Sequence, residues 1–287
     1  MKYVEPLFRP PAEAGSLIFQ VAFGCPHNRC RFCGMYKGVR HRLRPEPELL
    51  QEIAEAGRRC PGAVRFFLAD GDVMALPFER LRRILLAIRS AFPAAARVGL
   101  YANGSSILAR SAGELAELRA LGLHTFYLGL ESGSQPLLDL FEKEESVDGM
   151  VEAVRRAREA GLHASVMILH GLAPAGMRAG HVEGTAAALN RMQPNLLSSL
   201  RFIPVPGLPL PDGYRPPSEY EAAEELRSIL ARLELGRTVF RADHVSNSIP
   251  LAGRFPNDRE RLVRRLDALL ASGTLERSGP GRLPLSL

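Results

Sequence analysis

Cysteine is scarce in this chain: among 287 residues there are four, Cys25, Cys30, Cys33 and Cys60. Three of them crowd into nine residues, which suits a metal site in a reducing compartment better than a disulfide framework. Long apolar runs are missing as well, since none approaches the ~20 residues that a membrane span needs. The N-terminus, Met1 to Pro11, lacks the charged-then-apolar layout of a signal peptide. A cytoplasmic protein with no membrane partner is therefore expected. There is no low-complexity tract and no repeat of fixed length beyond an alternation of short segments described below. Acidic residues are absent from one stretch, where Arg29, Arg31, Lys37, Arg40, Arg42 and Arg44 stand without an Asp or Glu between them.

What is present suffices for a buried core. The chain is 46% hydrophobic, enough at this length for one large domain or two modest ones. Its formal net charge of +6 is ordinary except where the basic residues concentrate, between Arg29 and Arg44. A positive rim there would steer an acidic electron donor or an anionic substrate; a solvated basic loop is the plain alternative. Nucleic acid is not expected, because a basic stripe is only the first item of that signature and no recognised binding motif follows it.

Short apolar runs rich in branched or aromatic residues recur at 17–22, 64–69, 98–102, 125–130, 164–169 and 196–203. They read as strands buried on both faces. Segments with helical spacing lie between and after them, at 47–57, 77–92, 111–122, 135–141, 146–161 and 180–192. Alternation of this kind implies parallel strands joined by right-handed crossovers, an α/β sheet that curls into all or part of a barrel. After Ile203 six prolines break the pattern, at 204, 206, 209, 211, 216 and 217. A helix at 218–235, a strand at 238–242, a polar loop at 243–248 and a helix at 257–272 complete the chain. The expected division is a core of residues 1–206 with a small C-terminal α/β extension, 207–287, packed on it.

The segment Gly24-Cys25-Pro26-His27-Asn28-Arg29-Cys30-Arg31-Phe32-Cys33 follows the first strand, at the end where barrel enzymes place their chemistry. Three thiolates are one short of the four that saturate a cubane cluster, so one iron would stay open to a small ligand. A structural zinc site would want a fourth protein ligand, with His27 the nearby candidate. Cys60 stands apart and reads as a partly buried thiol near a helix end. Further polar groups close the later strands: Asp70-Gly71-Asp72, Asn103, Glu131, His170 and Arg201. Asp70 to Asp72 also suit a solvated turn. A lone histidine such as His170 is more often a satisfied core or rim residue than a catalyst, and Arg201 in an apolar strand demands a partner.

These features together resemble the radical S-adenosylmethionine superfamily, whose mark is a cysteine triplet after the first strand of a (βα)6 partial TIM barrel. The resemblance covers about Leu17 to Pro206. The spacing here is C-x4-C-x2-C, one residue longer in the first gap than the usual form, with Phe32 before Cys33 as the family has it. Leu128-Gly129-Leu130-Glu131-Ser132-Gly133 is similar to the Gly-x-Glu-Ser-Gly stretch of the branch shared by methylthiotransferases, the elongator catalytic subunit and oxygen-independent coproporphyrinogen oxidase. By this resemblance Cys25, Cys30 and Cys33 bind three irons of a [4Fe–4S] cluster, and S-adenosylmethionine chelates the fourth. Asp70-Gly71-Asp72 takes the place of the family's Gly-Gly-Glu element, which receives the cofactor's amino group. Asn103 would reach the ribose or the substrate, Glu131 would face the cofactor, and Lys143 would pair with its carboxylate. Arg201 would approach that carboxylate or the substrate, unless it forms an internal salt bridge.

The implied chemistry starts with one electron from an acidic donor such as flavodoxin or ferredoxin. Reductive cleavage of S-adenosylmethionine then gives a 5′-deoxyadenosyl radical that abstracts hydrogen from a substrate. The chain shows no upstream cobalamin-binding domain, second cysteine set or RNA-binding appendage, so methylthiolation and cobalamin-dependent methylation are not expected. A single-cluster enzyme acting on a small or medium-sized molecule is, and an anionic one suits the basic segment. The rival reading is a non-catalytic iron–sulfur redox sensor or electron carrier on the same barrel, which would need none of Asp70, Asp72 and Glu131.

Overall fold

Branched and aromatic runs become strands, and amphipathic runs become helices, across residues 3–94 and 97–281, which the computed structural model describes. The chain gathers into two units. One comprises residues up to Asn28, Cys33–Leu128 and Glu152–Ala164; the other comprises Arg29–Phe32, Gly129–Val151 and the chain from Ser165 onward. The first unit holds β1 (Leu17–Gln20), β2 (Ala22–Phe23), β3 (Arg42–Leu43), α1 (Glu46–Arg59), β4 (Arg65–Ala69), α2 (Phe78–Ala91), β5 (Arg97–Tyr101), α3 (Gly104–Leu108), α4 (Ala112–Ala120) and most of β6 (Leu123–Glu131). The second takes the end of β6, then α5 (Gln135–Leu140), the start of α6 (Val147–Glu159), most of β7 (His163–His170), α7 (Arg178–Met192), β8 (Leu196–Arg201), α8 (Glu219–Ala231), β9 (Val239–Ala242), β10 (Leu251–Arg254) and α9 (Arg259–Ala271).

In the first unit β1, β4, β5 and β6 pair in that order, all parallel, with Phe19 opposite Leu68, Phe67 opposite Gly99 and Tyr101 opposite Tyr127. The carboxyl ends of β1, β4 and β5 therefore share one edge. Phe66 and Phe67 are adjacent in β4 and both fully buried; neighbouring strand residues point to opposite faces, so this sheet is covered on both. The covering stripes follow the helical period: Leu49, Ile53 and Ala56 of α1, and Leu81, Ile84, Leu85 and Ile88 of α2, are buried. In the second unit β7, β8 and β9 run parallel, with Leu169 opposite Leu200 and Leu197 opposite Phe240. The antiparallel β10 follows on β9. The mostly parallel α/β architecture expected from the alternation is what forms, and the tail beyond the prolines extends the sheet of its own unit.

Three departures have local causes. The first apolar run does not continue to Ala22 as one strand: after Gln20 the chain turns, and β2 pairs antiparallel with β3, Ala22 opposite Leu43 and Phe23 opposite Arg42. The two-residue β3 was hidden in the basic stretch, and the cysteines occupy the loop it closes. The short α3 begins at Asn103, whose side chain and that of Ser106 form a reciprocal capping box. β10 lies beyond the polar loop, in a segment too short and too mixed to read as a strand. Among the described residues no helix is long and apolar enough to cross a membrane.

Candidate functional site

In the first unit the end of β4 meets the cysteine loop. Asp70 is buried, with a left-handed φ of 83°, and both of its carboxylate oxygens are occupied. Gln20 Nε2 donates to Oδ2 at 2.7 Å and Tyr36 Oη donates to Oδ1 at 2.8 Å. Burial raises Asp70 from its ordinary value to about 6, against the pull of these two bonds. Burial, followed by the charge of Asp70, pushes the Tyr36 phenol upward, so it stays a donor. Gly71, at φ 22°, lies against the start of the cysteine loop: a Cβ there would stand 2.5 Å from the Gly24 carbonyl oxygen and 2.7 Å from Cys25 Cα. Asp72 is bound by Ser106 Oγ at 2.8 Å, which joins it to the cap of α3 and hence to Asn103. Within the longer first gap, Asn28 takes a left-handed φ of 49° and its amide donates to the Tyr36 carbonyl at 2.7 Å. Left-handed backbone is tolerated best by Gly and Asn, which suits Asn at this position. Structure thus brings Cys25, Gly71, Asp70 and Tyr36 together, and ties Asp72 to the neighbouring strand end.

In the second unit the end of β6 carries Glu131, also left-handed at φ 60° and only 5% exposed. Its Oε1 lies 3.8 Å from Lys143 Nζ, while its Oε2 is buried without a hydrogen-bond partner among the described residues. Burial raises the Glu131 carboxyl above the usual range, with Lys143 opposing. An unsatisfied buried polar atom costs roughly 1–3 kcal/mol, more when charged, so this oxygen needs a donor. Lys143 is buried as well, and its ammonium sits 5.9 Å from the centre of the Phe32 ring. Phe32 packs on Phe141, which in turn packs edge-on against Phe202 and Tyr214. The expected partners Phe32, Glu131 and Lys143 are therefore neighbours beside an apolar wall.

Other expectations resolve individually. His170 is buried, with Nδ1 2.9 Å from Ser199 Oγ, and burial pushes it down to about 3, so it is a satisfied neutral core histidine. Arg201 donates to the Pro280 carbonyl at 2.5 Å and lies 3.9 Å from Glu219, the internal pairing that its strand position allowed. The polar loop caps β8: Asn247 Oδ1 accepts from Arg201 N–H at 2.9 Å and its amide donates to Ser199 O at 3.0 Å. The basic segment is partly neutralised. Arg29 pairs with Glu144, Arg31 with Glu142, and Arg44 grips Glu52 through two hydrogen bonds of 3.1 and 3.0 Å. Arg40 and Arg42 are exposed, Arg42 lying over the Phe23 ring.

Sequence reasoning missed Gln20, Tyr36, Ser106, His181 and Glu225. Gln20 carried a signal, a polar residue in an apolar strand; so did Glu225, which sits on the apolar stripe of α8 between Ala222 and Leu226 and is buried with them. Cys25, Cys30 and Cys33 are half-buried and Cys60 is exposed. Among the described residues no three His, Cys, Asp or Glu side chains are gathered tightly enough to hold a metal ion as they stand.

Fold and strand ends define a class: a mostly parallel α/β protein with a thiol triplet after its first strand and buried carboxylates at later strand ends. Residues 19–174 match the family model described as the Radical SAM superfamily, more than half of the chain, and the protein belongs to that superfamily. It is an enzyme of that class, which uses a [4Fe–4S] cluster and S-adenosylmethionine. Over 198 residues it is 28% identical to the anaerobic magnesium-protoporphyrin IX monomethyl ester cyclase of Cereibacter sphaeroides, with 67% of this chain and 31% of that protein covered. The coproporphyrinogen III oxidase (HemN) from Escherichia coli superposes with a TM-score of 0.61 at 20% identity, covering 75% of this chain and 51% of that one. Methylornithine synthase (PylB) superposes with a TM-score of 0.54 at 17% identity, covering 93% and 83%. The chain thus spans about a third of the cyclase and about half of HemN.

The residues present fit the two groups. Three soft thiol donors leave one iron of a cubane open, Gly71 leaves room for the Cys25 backbone that a side chain would fill, and Glu131 holds out a buried acceptor.

Proposed function

We propose that this chain is a single-cluster radical S-adenosylmethionine enzyme in which Cys25, Cys30 and Cys33 hold the cluster and Glu131 with Lys143 orients the cofactor. The observation that carries the reading is the buried Oε2 of Glu131, without a partner and 5% exposed as a residue, beside a buried lysine. When bound, the cluster and cofactor supply a one-electron cleavage of a carbon–sulfur bond that opens hydrogen abstraction from the substrate. The chain's own residues do the rest. The Glu131 carboxylate accepts a hydrogen bond from a cofactor N–H or O–H group, and the Lys143 ammonium attracts a carboxylate. Phe32, Phe141 and Phe202 exclude water from that corner. Asp70 holds the cysteine loop through Tyr36, with Gly71, Asp72 and Asn103 shaping the neighbouring strand ends. Arg201 ties the end of β8 to the extension through Glu219 and Pro280 rather than acting on the cofactor.

The substrate in this reading is a small or medium-sized anion. The cyclase relative is named for a magnesium-protoporphyrin ester, a carboxylated tetrapyrrole, and such molecules head the panel to be tested. An acidic donor such as flavodoxin or ferredoxin docks at the exposed cations Arg40 and Arg42. The division into a core, 1–206, and an extension, 207–287, and a cytoplasmic location belong to the same proposal.

Anaerobic reconstitution is expected to load about four irons per chain, and reduction with dithionite to release 5′-deoxyadenosine. Alanine at Cys25, Cys30 or Cys33 abolishes both, and Cys60→Ala retains both. A brown protein that loads iron yet forms no 5′-deoxyadenosine, and in which Glu131→Gln changes nothing, would instead be an electron carrier or sensor.

A further inference from the structure

The turn that presents Glu131 is held by a buried chain of polar groups reaching into the extension. Ser134 N–H donates to Ser132 Oγ at 2.9 Å, and Ser132 Oγ lies 2.7 Å from His181 Nδ1. Thr185 Oγ1 lies 3.3 Å from the same Nδ1, so the ring sits between two hydroxyls on that side. Its Nε2 stands 3.2 Å from Glu225 Oε1, off the line of a hydrogen bond but within ion-pair range. The same Oε1 accepts the backbone N–H of Gly171 at 2.5 Å. The chain therefore runs from the end of β6, through α7, to α8 and back to the end of β7. Ser132, His181, Thr185 and Glu225 are each at most 1% exposed.

Backbone packing tightens the same place. Gly133 N–H donates to Thr185 Oγ1 at 2.9 Å. A Cβ on Gly133 would run into the Gly184 carbonyl, and one on Gly184 into the Gly133 carbonyl. The Ser132–Gly133 turn is thus seated directly on α7, one residue beyond Glu131. Arg178 faces the far side of the network, 3.0 Å from Glu221 and 3.8 Å from Glu225 Oε2. Ser132, His181 and Glu225 spend their polar atoms on one another and on the Gly171 N–H, and an imidazole held between a hydroxyl and a carboxylate is a rigid spacer.

We infer that His181 and Glu225 are positioning residues for cofactor binding: they fix the Ser132–Gly133 turn, and through it the direction of the Glu131 carboxylate. The extension helix α8 is then part of the cofactor site's support, which gives the tail a task. This inference rests on the reading that Glu131 meets the cofactor.

The test is the dissociation constant of S-adenosylmethionine on the reconstituted, iron-loaded full chain, measured by equilibrium dialysis, with iron content and far-UV circular dichroism as controls. His181→Leu removes the ring's polar contacts with Ser132, Thr185 and Glu225 and is expected to weaken binding about tenfold with iron content unchanged. His181→Asn places an amide where Nδ1 was, keeps the Ser132 contact, and is expected to stay within about threefold of the parent. Glu225→Gln keeps an acceptor for Gly171 N–H and serves where His181→Leu fails to fold; a severalfold weakening is expected. In the Glu131→Gln background His181→Leu adds little, because a residue acting through Glu131 has nothing left to position. If Glu131→Gln itself leaves the dissociation constant unchanged, the reading of Glu131 fails, and this inference with it. If Glu131→Gln weakens binding while folded His181→Leu and Glu225→Gln bind as the parent does, the positioning role alone is overturned. Equal losses in the Leu and Asn variants, additive with Glu131→Gln, overturn it too, since they would mark a general packing defect.

Discussion

Adding one methyl group at Gly71 tests how tightly the strand end and the cysteine loop are fitted. The new Cβ would stand 2.5 Å from Gly24 O, 2.7 Å from Cys25 Cα and 3.1 Å from Pro26 Cδ, all three on the stretch that opens the cysteine loop. The first two are backbone atoms that cannot rotate away. Forcing a non-glycine residue toward left-handed φ costs about 1 kcal/mol, and overpacking of this kind costs ~1–3 kcal/mol more. The sum, roughly 2–4 kcal/mol, corresponds to a Tm drop of about 3–7 °C for a chain of this size. Should the loop yield instead, the displacement falls on Cys25, and iron loading drops in its place. The assay therefore pairs a thermal melt with iron analysis after anaerobic reconstitution, and compares Gly71→Ala with Gly15→Ala, whose Cβ would meet nothing within 4 Å. A Gly71→Ala protein that melts within about 1 °C of the Gly15 control and loads the same iron would refute the fit.

Asp70 contributes a pH dependence whose sign is set by burial. Its carboxyl rises from an ordinary 3.8 to about 6, so its contribution to stability is fully present below about pH 4 and is lost as pH rises through about 6. Asp70→Asn is expected to flatten that part of the Tm–pH curve; an unchanged slope would show that Asp70 titrates as it does in the unfolded chain. Replacing Arg40 and Arg42 with glutamate, while leaving the Glu52-bound Arg44 intact, is expected to slow turnover with flavodoxin and spare turnover with dithionite. The effect is greatest at low salt, because screening lengths shrink to ~8 Å at physiological ionic strength. Equal losses with both reductants would remove donor steering.

Much of the fold was legible because its signals are local. Strands buried on both faces, such as Phe66 to Ala69, announce themselves as unbroken apolar runs, and a stripe such as Leu81, Ile84, Leu85 and Ile88 announces a covering helix. What stayed hidden depends on partners far along the chain. Arg42–Leu43 is a strand only because Ala22–Phe23 pairs with it. Arg29 and Arg31 read as a positive rim until Glu144 and Glu142 arrive from more than a hundred residues away. His181 shows no periodic signal of function; its place between Ser132 and Glu225 is a tertiary fact.

The two carboxylates expected to serve the cofactor part company once their hydrogen bonds are counted. Both close a parallel strand, both have left-handed φ, and both are buried. Asp70 accepts from Gln20 and Tyr36, one donor on each oxygen, and so has both oxygens occupied by the protein itself. A group in that state supports its neighbours, and Tyr36, three residues past Cys33, is the neighbour it supports. Among the described residues Glu131 has one distant cation and one oxygen with no donor, beside an imidazole network that braces the turn. Evolution toward stability alone would have supplied a donor or removed the acid, since either change relieves a buried unsatisfied charge. The carboxylate with one oxygen lacking a donor among the described residues is the one available to a ligand. Of the acidic strand ends, Glu131 is therefore the one whose substitution should read directly on cofactor affinity, and Asp70 the one whose substitution should read first on the stability of the cysteine loop.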